Sequence, residues 1–350
     1  MKYLRLLLIC VPVALLSRYL NGPPALTFIA AALGIVPLAE LMGESTEALA
    51  DRAGSQLSGF LNSTLGNAAE LIITFFAIRA GLLELVKASI TGSILGNLLL
   101  VMGASLLVGG LRHGTQKFNR SEAGLNATML FLAVIALGIP SLFGHAIEQV
   151  NHDAVEYLSL GVSTMMILLY ALSQFYLFRN SQAKLPLKKP AHRTGHHWPL
   201  RTTVIVLVVS TIFIAWMSEV LVSVVEPMLE HLGWTEFFIG IVIIPLVGNV
   251  AEHLVAVEVA AKNQMDLSLN ISVGSGLQVA LFVAPVLVFL SLAMGNPLTL
   301  VFNTFELAAL GAASVIAGLA ALDGESNWME GVQLLVVYVI LVMAFFFLPV

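Results

Sequence analysis

The sequence predicts an all-α polytopic membrane protein: eleven transmembrane helices, arranged as one extra N-terminal helix plus two inverted five-helix repeats. Three observations lead there. Apolar residues make up 58% of the 350 positions and charged residues only 11%, less than half the ~25% of a soluble domain. Apolar stretches repeatedly exceed the ~18 residues needed to cross a bilayer as a helix. Residues 65–100 also align with 247–282 at a constant offset of 182, without a gap.

Breaks at Gly, Pro and charged clusters delimit candidate spans at 4–20, 25–49, 57–79, 83–110, 124–143, 154–178, 201–225, 234–261, 266–292, 298–321 and 329–348. The resulting organisation is a first helix (1–23), a five-helix repeat (24–178), a basic cytoplasmic loop (179–200) and a second five-helix repeat (201–350). The opening MKYLRLLLICVPVALLSRYL has the charged start and short apolar core of a signal peptide, but no small-residue cleavage site follows. It reads as a retained first helix. With the N-terminus in the cytoplasm, 13 of the 16 Lys and Arg residues fall on the inner side, leaving only Arg18, Arg79 and Lys87 towards the outer one. An odd number of spans then puts the C-terminus outside.

The net charge of −5 says little about partners, because most acids lie in or beside apolar spans. No basic patch with interleaved aromatics occurs, so nucleic acid is not an expected partner. The partner is the lipid bilayer, and a homo-oligomer is compatible with it. Cys10, the single cysteine, cannot form an intrachain disulfide and reads as an apolar filler.

The internal repeat carries the chemistry. Gly66, Asn67, Ala69 and Glu70 fall on Gly248, Asn249, Ala251 and Glu252; Gly92, Ser93 and Leu95 fall on Gly274, Ser275 and Leu277; Glu84 meets Asp266. Leucine matches between membrane helices are cheap, but polar and Gly matches at fixed spacing are not. Five spans per half is odd, so the halves thread the membrane in opposite directions, the plan of secondary transporters with a midplane site. Residues three or four apart share a helix face, so Ser63, Asn67, Glu70 and Thr74 form one polar stripe, and Asn249 and Glu252 another. A carboxylate at bilayer depth costs at least ~2.5 kcal/mol on insertion scales. One such Glu is as readily a silent, protonated anchor; two at matching positions point to a functional site.

Ser93 with Asn97, and Ser275 with Gln278, add hydroxyl and amide groups one turn apart, among glycines that also permit close helix approach. Pro245 removes the backbone hydrogen bond to the carbonyl of Ile241, which becomes a further candidate ligand. This all-oxygen set suits a hard divalent cation, whereas zinc or copper would call for His and Cys. Two like charges in a low-dielectric pocket also recruit protons once the cation leaves. Exchange of Ca2+ against H+ follows, with Ca2+ as transported substrate and no cofactor. Glu40, Glu47 and Glu219 lie upstream of the two motifs and read as access or proton-relay residues, with a wetted helix end as the plainer alternative, the more so for Glu44. His253 either tunes the proton affinity of Glu252 or bonds a neighbouring helix. Glu258 and Glu306 read as interfacial, and His192, His196 and His197 as a solvated loop. No HExxH motif or nucleophile with an oriented base points to an enzyme; a passive channel is the remaining alternative.

At these motifs the sequence resembles the calcium/proton exchangers of the cation/Ca2+ exchanger superfamily. GNAAEL followed by ASITGSILGNLLLVMG is similar to the first family repeat, and GNVAEHLVAVEVAAKNQMD followed by VGSGLQVALFVAPV to the second. The likeness extends to Ser45-Thr46-Glu47 and Ser218-Glu219. It implies an eleven-helix fold in which Glu70 and Glu252 bind Ca2+ and exchange it for protons, supported by Asn67, Asn249, Ser93, Asn97, Ser275 and Gln278. A Na+-coupled exchanger, or one carrying Mn2+ or another divalent ion, is the alternative within the superfamily. Residues 179–201 contain no Asp or Glu, so regulation through the acidic segment of many relatives is not expected. The long N-terminal tail of plant relatives is not seen either, and a prokaryotic plasma membrane is the expected location.

Overall fold

A computed structural model describes residues 4–148, 154–181 and 198–348, nearly all of them helical. A 3-10 segment at Leu4–Ile9 leads into α1 (Cys10–Tyr19), then α2 (Pro24–Leu65), α3 (Ala68–Ala80), α4 (Leu83–His113), α5 (Arg120–Glu148), α6 (Ala154–Ser181) and α7 (Leu200–Ser223). After a short helix at Val225–Leu232 come α8 (Glu236–Ala260), α9 (Met265–Ala293), α10 (Thr304–Ala320) and α11 (Trp328–Phe346). Among the described residues, eight helices are long and apolar enough to cross a membrane: α2, α4 to α9, and α11. The apolar α10 has 17 residues and α3 has 13. Most of the basic loop, including His192, His196 and His197, lies outside the described residues.

Two expected boundaries shift. The break expected between residues 49 and 57 is absent, because α2 runs on to Leu65 and the chain turns at Gly66–Asn67 instead. The stretch ADRAGSQ holds no proline, and a lone Gly inside a helix costs only about 1 kcal/mol. The tenth helix begins at Thr304 rather than 298. Ahead of it, residues 296–303 form an extended strap held by side chains from three helices and a backbone carbonyl of a fourth. The Asn296 amide donates to the Ile78 carbonyl (3.1 Å), and the strap N–H groups of Leu298, Leu300 and Phe302 donate to the hydroxyls of Ser291, Ser159 and Ser141 at 2.8, 3.1 and 2.8 Å. Every second residue, Leu298, Leu300 and Phe302, is buried. The alternation is that of a strand, not of a helix.

Long-range bonds sort the connecting segments into two ends of the bundle. At one end, Arg5 pairs with Glu44 (3.0 Å) and Arg52 donates to the Trp198 carbonyl. There too β1 (Gln116–Lys117) pairs antiparallel with β2 (Glu325–Ser326), and the Asn119 N–H donates to Asp266 at 2.6 Å. At the other end, the Leu85 N–H donates to Glu236 (3.0 Å), the strap spans α3, α5, α6 and α9, and Phe237 and Phe238 pack edge-on against Phe345 and Phe346. The first is called here the ribbon end, the second the strap end.

Three of the helices contain a π turn: Gly96–Val101 in α4, Ile239–Ile243 in α8 and Val279–Val283 in α9. Those in α4 and α9 fall at matching positions of the sequence repeat, and π turns concentrate at functional sites. Pro245 has no N–H to offer Ile241, and the free carbonyl of Ile241 lies against Gly92 of α4, so tightly that an added Cβ would overlap it. The expected use of that carbonyl as a ligand gives way to its use in helix packing, where only glycine fits. One helix position on, Gly240 faces Ala88 and the Leu85 carbonyl. Gly92→Ala should therefore cost ~1–3 kcal/mol by overpacking, seen as a lower thermal midpoint in detergent. Gly96→Ala, which meets nothing within 4 Å, should leave the midpoint unchanged.

Candidate functional site

The residues singled out by the repeat come together in a closed ring across four helices. Asn67, at the N-cap of α3, donates its amide to Gln278 of α9 at 2.9 Å. One turn back along α9, the Ser275 hydroxyl donates to Glu252 of α8 at 2.6 Å. One turn back along α8, the Asn249 amide donates to the Ser93 hydroxyl of α4 at 3.2 Å. Ser93 closes the ring by donating to Glu70 of α3 at 2.5 Å. Each serine–glutamate bond joins residues 23 apart, so the same contact is made once in each half of the chain.

Local structure explains how these groups reach one another. The chain breaks at Gly66–Asn67, so Asn67 sits outside the helix and Glu70 occupies the first turn of α3, near its exposed N–H groups. Gly248 of α8 faces Glu70 of α3, and Gly276 of α9 faces Asn97 and Leu98 of α4; a Cβ added at either glycine would meet these neighbours at ordinary van der Waals distance, 3.6 and 3.7 Å.

Several oxygens are left over. Among the described residues, Oε2 of Glu70 and Oδ1 of Asn67, Asn249 and Asn97 are buried without a hydrogen-bond partner, as is the Asn97 amide nitrogen. Leaving a buried polar atom unpaired costs about 1–3 kcal/mol. Three amide oxygens beside two carboxylates, one of which has a free oxygen, form a ready set of hard ligands.

Thr74 donates to the backbone carbonyl of Glu70 at 2.7 Å, so its hydroxyl is spent within its own helix. The side chain of Ser63 lies outside the described residues. Among the access candidates, Glu40 is buried on α2, whereas Glu47 and Glu219 are exposed, and none of the three joins the ring. Glu44 pairs with Arg5. His253 is partly exposed, with its Nε2 buried and unpaired.

The two approaches to the ring differ. Toward the strap end, Ile73 and Ile78 of α3, Ile90 of α4, Ile244 of α8 and Leu281 of α9 are all buried. Toward the ribbon end, Ala251, Glu252 and His253 of α8 and Gly274 of α9 keep partial exposure, while Leu98, Leu99 and Met102 of α4 are buried. Glu70 is fully buried, whereas Glu252 keeps partial exposure.

One pair of acids escaped the sequence reading. Glu306, expected at an interface, is 2% exposed. It completes a capping box with Asn303 and accepts a hydrogen bond from Thr91 of α4 at 2.9 Å. Glu122 stands at the same place in α5, behind the cap Asn119, and accepts from Asn270 of α9 at 3.1 Å. The signal was legible: Asn-x-x-Glu ahead of an apolar run is the mark of a capped helix.

The family described as "Sodium/calcium exchanger protein" matches residues 24–179 and again 202–347. A Ca(2+)/H(+) antiporter from Aphanothece halophytica is 43% identical, covering 98% of this chain and 96% of its own. The Ca(2+)/H(+) antiporter ChaA of Bacillus subtilis (strain 168) is 41% identical over 97% of each chain. The solved structure of native YfkE superposes with a TM-score of 0.87 at 39% identity, covering 99% of this chain and 100% of that one. The chain belongs to the calcium/proton exchanger family of the cation/Ca2+ exchanger superfamily.

Proposed function

We propose that the chain is a secondary active Ca2+/H+ antiporter, exporting cytoplasmic Ca2+ in exchange for protons by alternating access at a site built on Glu70 and Glu252. The observation that carries this reading is the four-helix ring, with one serine–glutamate bond from each half and four unpaired buried oxygens around them. The names of the relatives point the same way.

The proposed topology is eleven crossings, one helix and two five-helix halves, with the ribbon end cytoplasmic. Arg5 lies at the ribbon end and Phe345 at the strap end, in keeping with an odd number of crossings. Arg52, Lys117 and Lys262 belong to the ribbon end, and Arg79 and Lys87 to the strap end, in keeping with the positive-inside rule. The double family match supports two repeated halves.

The chemistry follows from charge balance. With Ca2+ bound, Glu70 and Glu252 are ionised and the ring is close to neutral. With Ca2+ gone, each carboxyl takes up a proton and the ring is neutral again. The empty ring with both groups ionised holds two like charges in a dry pocket, the costly state. Each load thus crosses in a compensated form, and the uncompensated form, which would let ions leak, is rare. Asn67, Asn249 and Asn97 supply neutral oxygens; Ser93 and Ser275 hold the carboxyls in place and switch to donating or accepting as the protonation state requires. Cytoplasmic Ca2+ reaches the partly exposed Glu252 first.

Glu70→Gln and Glu252→Gln keep the size and hydrogen-bonding reach of each side chain but remove its charge and its proton exchange. Each should abolish Ca2+ uptake into inverted vesicles under an imposed pH gradient while the protein remains inserted and monodisperse. Uptake at more than a few per cent of the parent rate in either variant would overturn the site. Uptake that needs Na+ rather than the pH gradient would select the sodium-coupled alternative. Protons and Ca2+ also compete for the same oxygens, so the apparent KM for Ca2+ should fall as pH rises. In the limit where two protons leave per ion the slope approaches about a hundredfold per pH unit. A KM independent of pH between 6 and 8 would count against shared carboxyls.

A further inference from the structure

We infer that Glu306 and Glu122 are paired positioning residues that latch opposite ends of the bundle, Glu306 closing the strap end and Glu122 the ribbon end. The inference rests on the inverted-repeat reading above. Both residues occupy the third position of a helix capped by an asparagine, Asn303 for α10 and Asn119 for α5. Both capped helices follow an extended segment, the strap in one half and β1 in the other. Each glutamate reaches past its own half to a helix of the ring: Glu306 to Thr91 of α4, Glu122 to Asn270 of α9. The two ties run in opposite senses between the halves, from matching cap positions to partners three residues apart in repeat register, and they sit at opposite ends.

Their surroundings differ. Glu306 is buried and both its oxygens are engaged, by the Thr91 hydroxyl and by the Asn303 N–H at 2.9 Å. Glu122 is only half-buried and its partner Asn270 is exposed. A hydrogen bond to a carboxylate is strong where water is excluded and weak where water competes. The buried tie is thus the strong one, and the exposed tie the weak one. Thr91 stands two residues before Ser93 on α4, so the tie fixes that helix just beyond the ring. Glu84 and Lys87, paired at 2.5 Å one turn further out on α4, are the charged groups on that helix next to it. Loosening Glu306 frees α4 from α10 and lets the strap end open; loosening Glu122 has no such effect there.

Ser89 reports on this directly. It lies one turn from Ser93 toward the strap end, on the same helix face, and is fully buried. In a Cys10→Ser background, Ser89→Cys is labelled with a membrane-impermeant maleimide in right-side-out vesicles. Thr91→Val and Glu306→Ala should each raise the labelling rate about tenfold, the population shift expected from losing one charge-assisted hydrogen bond. Thr91→Ser should restore the parent rate, and Glu122→Ala should leave it unchanged or lower it. Labelling unaltered by both Thr91→Val and Glu306→Ala, or raised equally by Glu122→Ala, would overturn the latch. Because the readout needs no transport, its failure leaves the Glu70 and Glu252 assignments to be judged by ion exchange alone.

Discussion

Everything in this molecule is organised around the need to keep two carboxyl groups in an apolar bundle without stranding them. Lipid offers no hydrogen bonds, so each acid has to be held by protein, by a proton or by a cation. The ring of Asn67, Gln278, Ser275, Glu252, Asn249, Ser93 and Glu70 answers that need with side chains alone. The hydroxyls of Ser93 and Ser275 are short, and they reach a carboxyl only on a closely packed helix. Gly92, against the Ile241 carbonyl, marks such an approach between α4 and α8 next to Ser93.

The ring satisfies its members only partly, and that incompleteness is what makes it useful. A structural polar network would pair every atom, because a half-satisfied one is worse than an apolar core. Here four oxygens on the inner side have no partner. They are held in place by groups that are bonded elsewhere, as in any preorganised ligand shell. Asn97 is the extreme case: it lies in the π turn of α4 with neither amide atom paired. A widened turn presents its side chain and backbone differently from a regular helix, which is one reason such a residue faces inward.

Much of this was legible in the sequence, and the parts that were not share a cause. Glu70, Glu252 and their serines were found because a repeated polar pattern in a sea of leucine has few explanations. The back-bond of Thr74 was not legible, because helical spacing says which face a hydroxyl occupies but not whether it bonds to its own helix. The strap was missed for a related reason. Residues 298–303 are as apolar as a membrane helix, and their N–H groups are satisfied by Ser141, Ser159 and Ser291, which lie on three different helices. No local window contains that information. Glu306 was read as interfacial on its position near a span end, although its asparagine three residues upstream announced a cap.

The strap has a mechanical consequence. An extended segment that hangs on hydroxyls from α5, α6 and α9, with its Asn296 amide on a carbonyl of α3, cannot peel away one bond at a time without leaving bare backbone in a dry place. Those four helices are thereby fastened into a raft at that end. Any motion that admits water there has to carry the raft as a unit, and the yielding seam must run along the helices the strap does not touch.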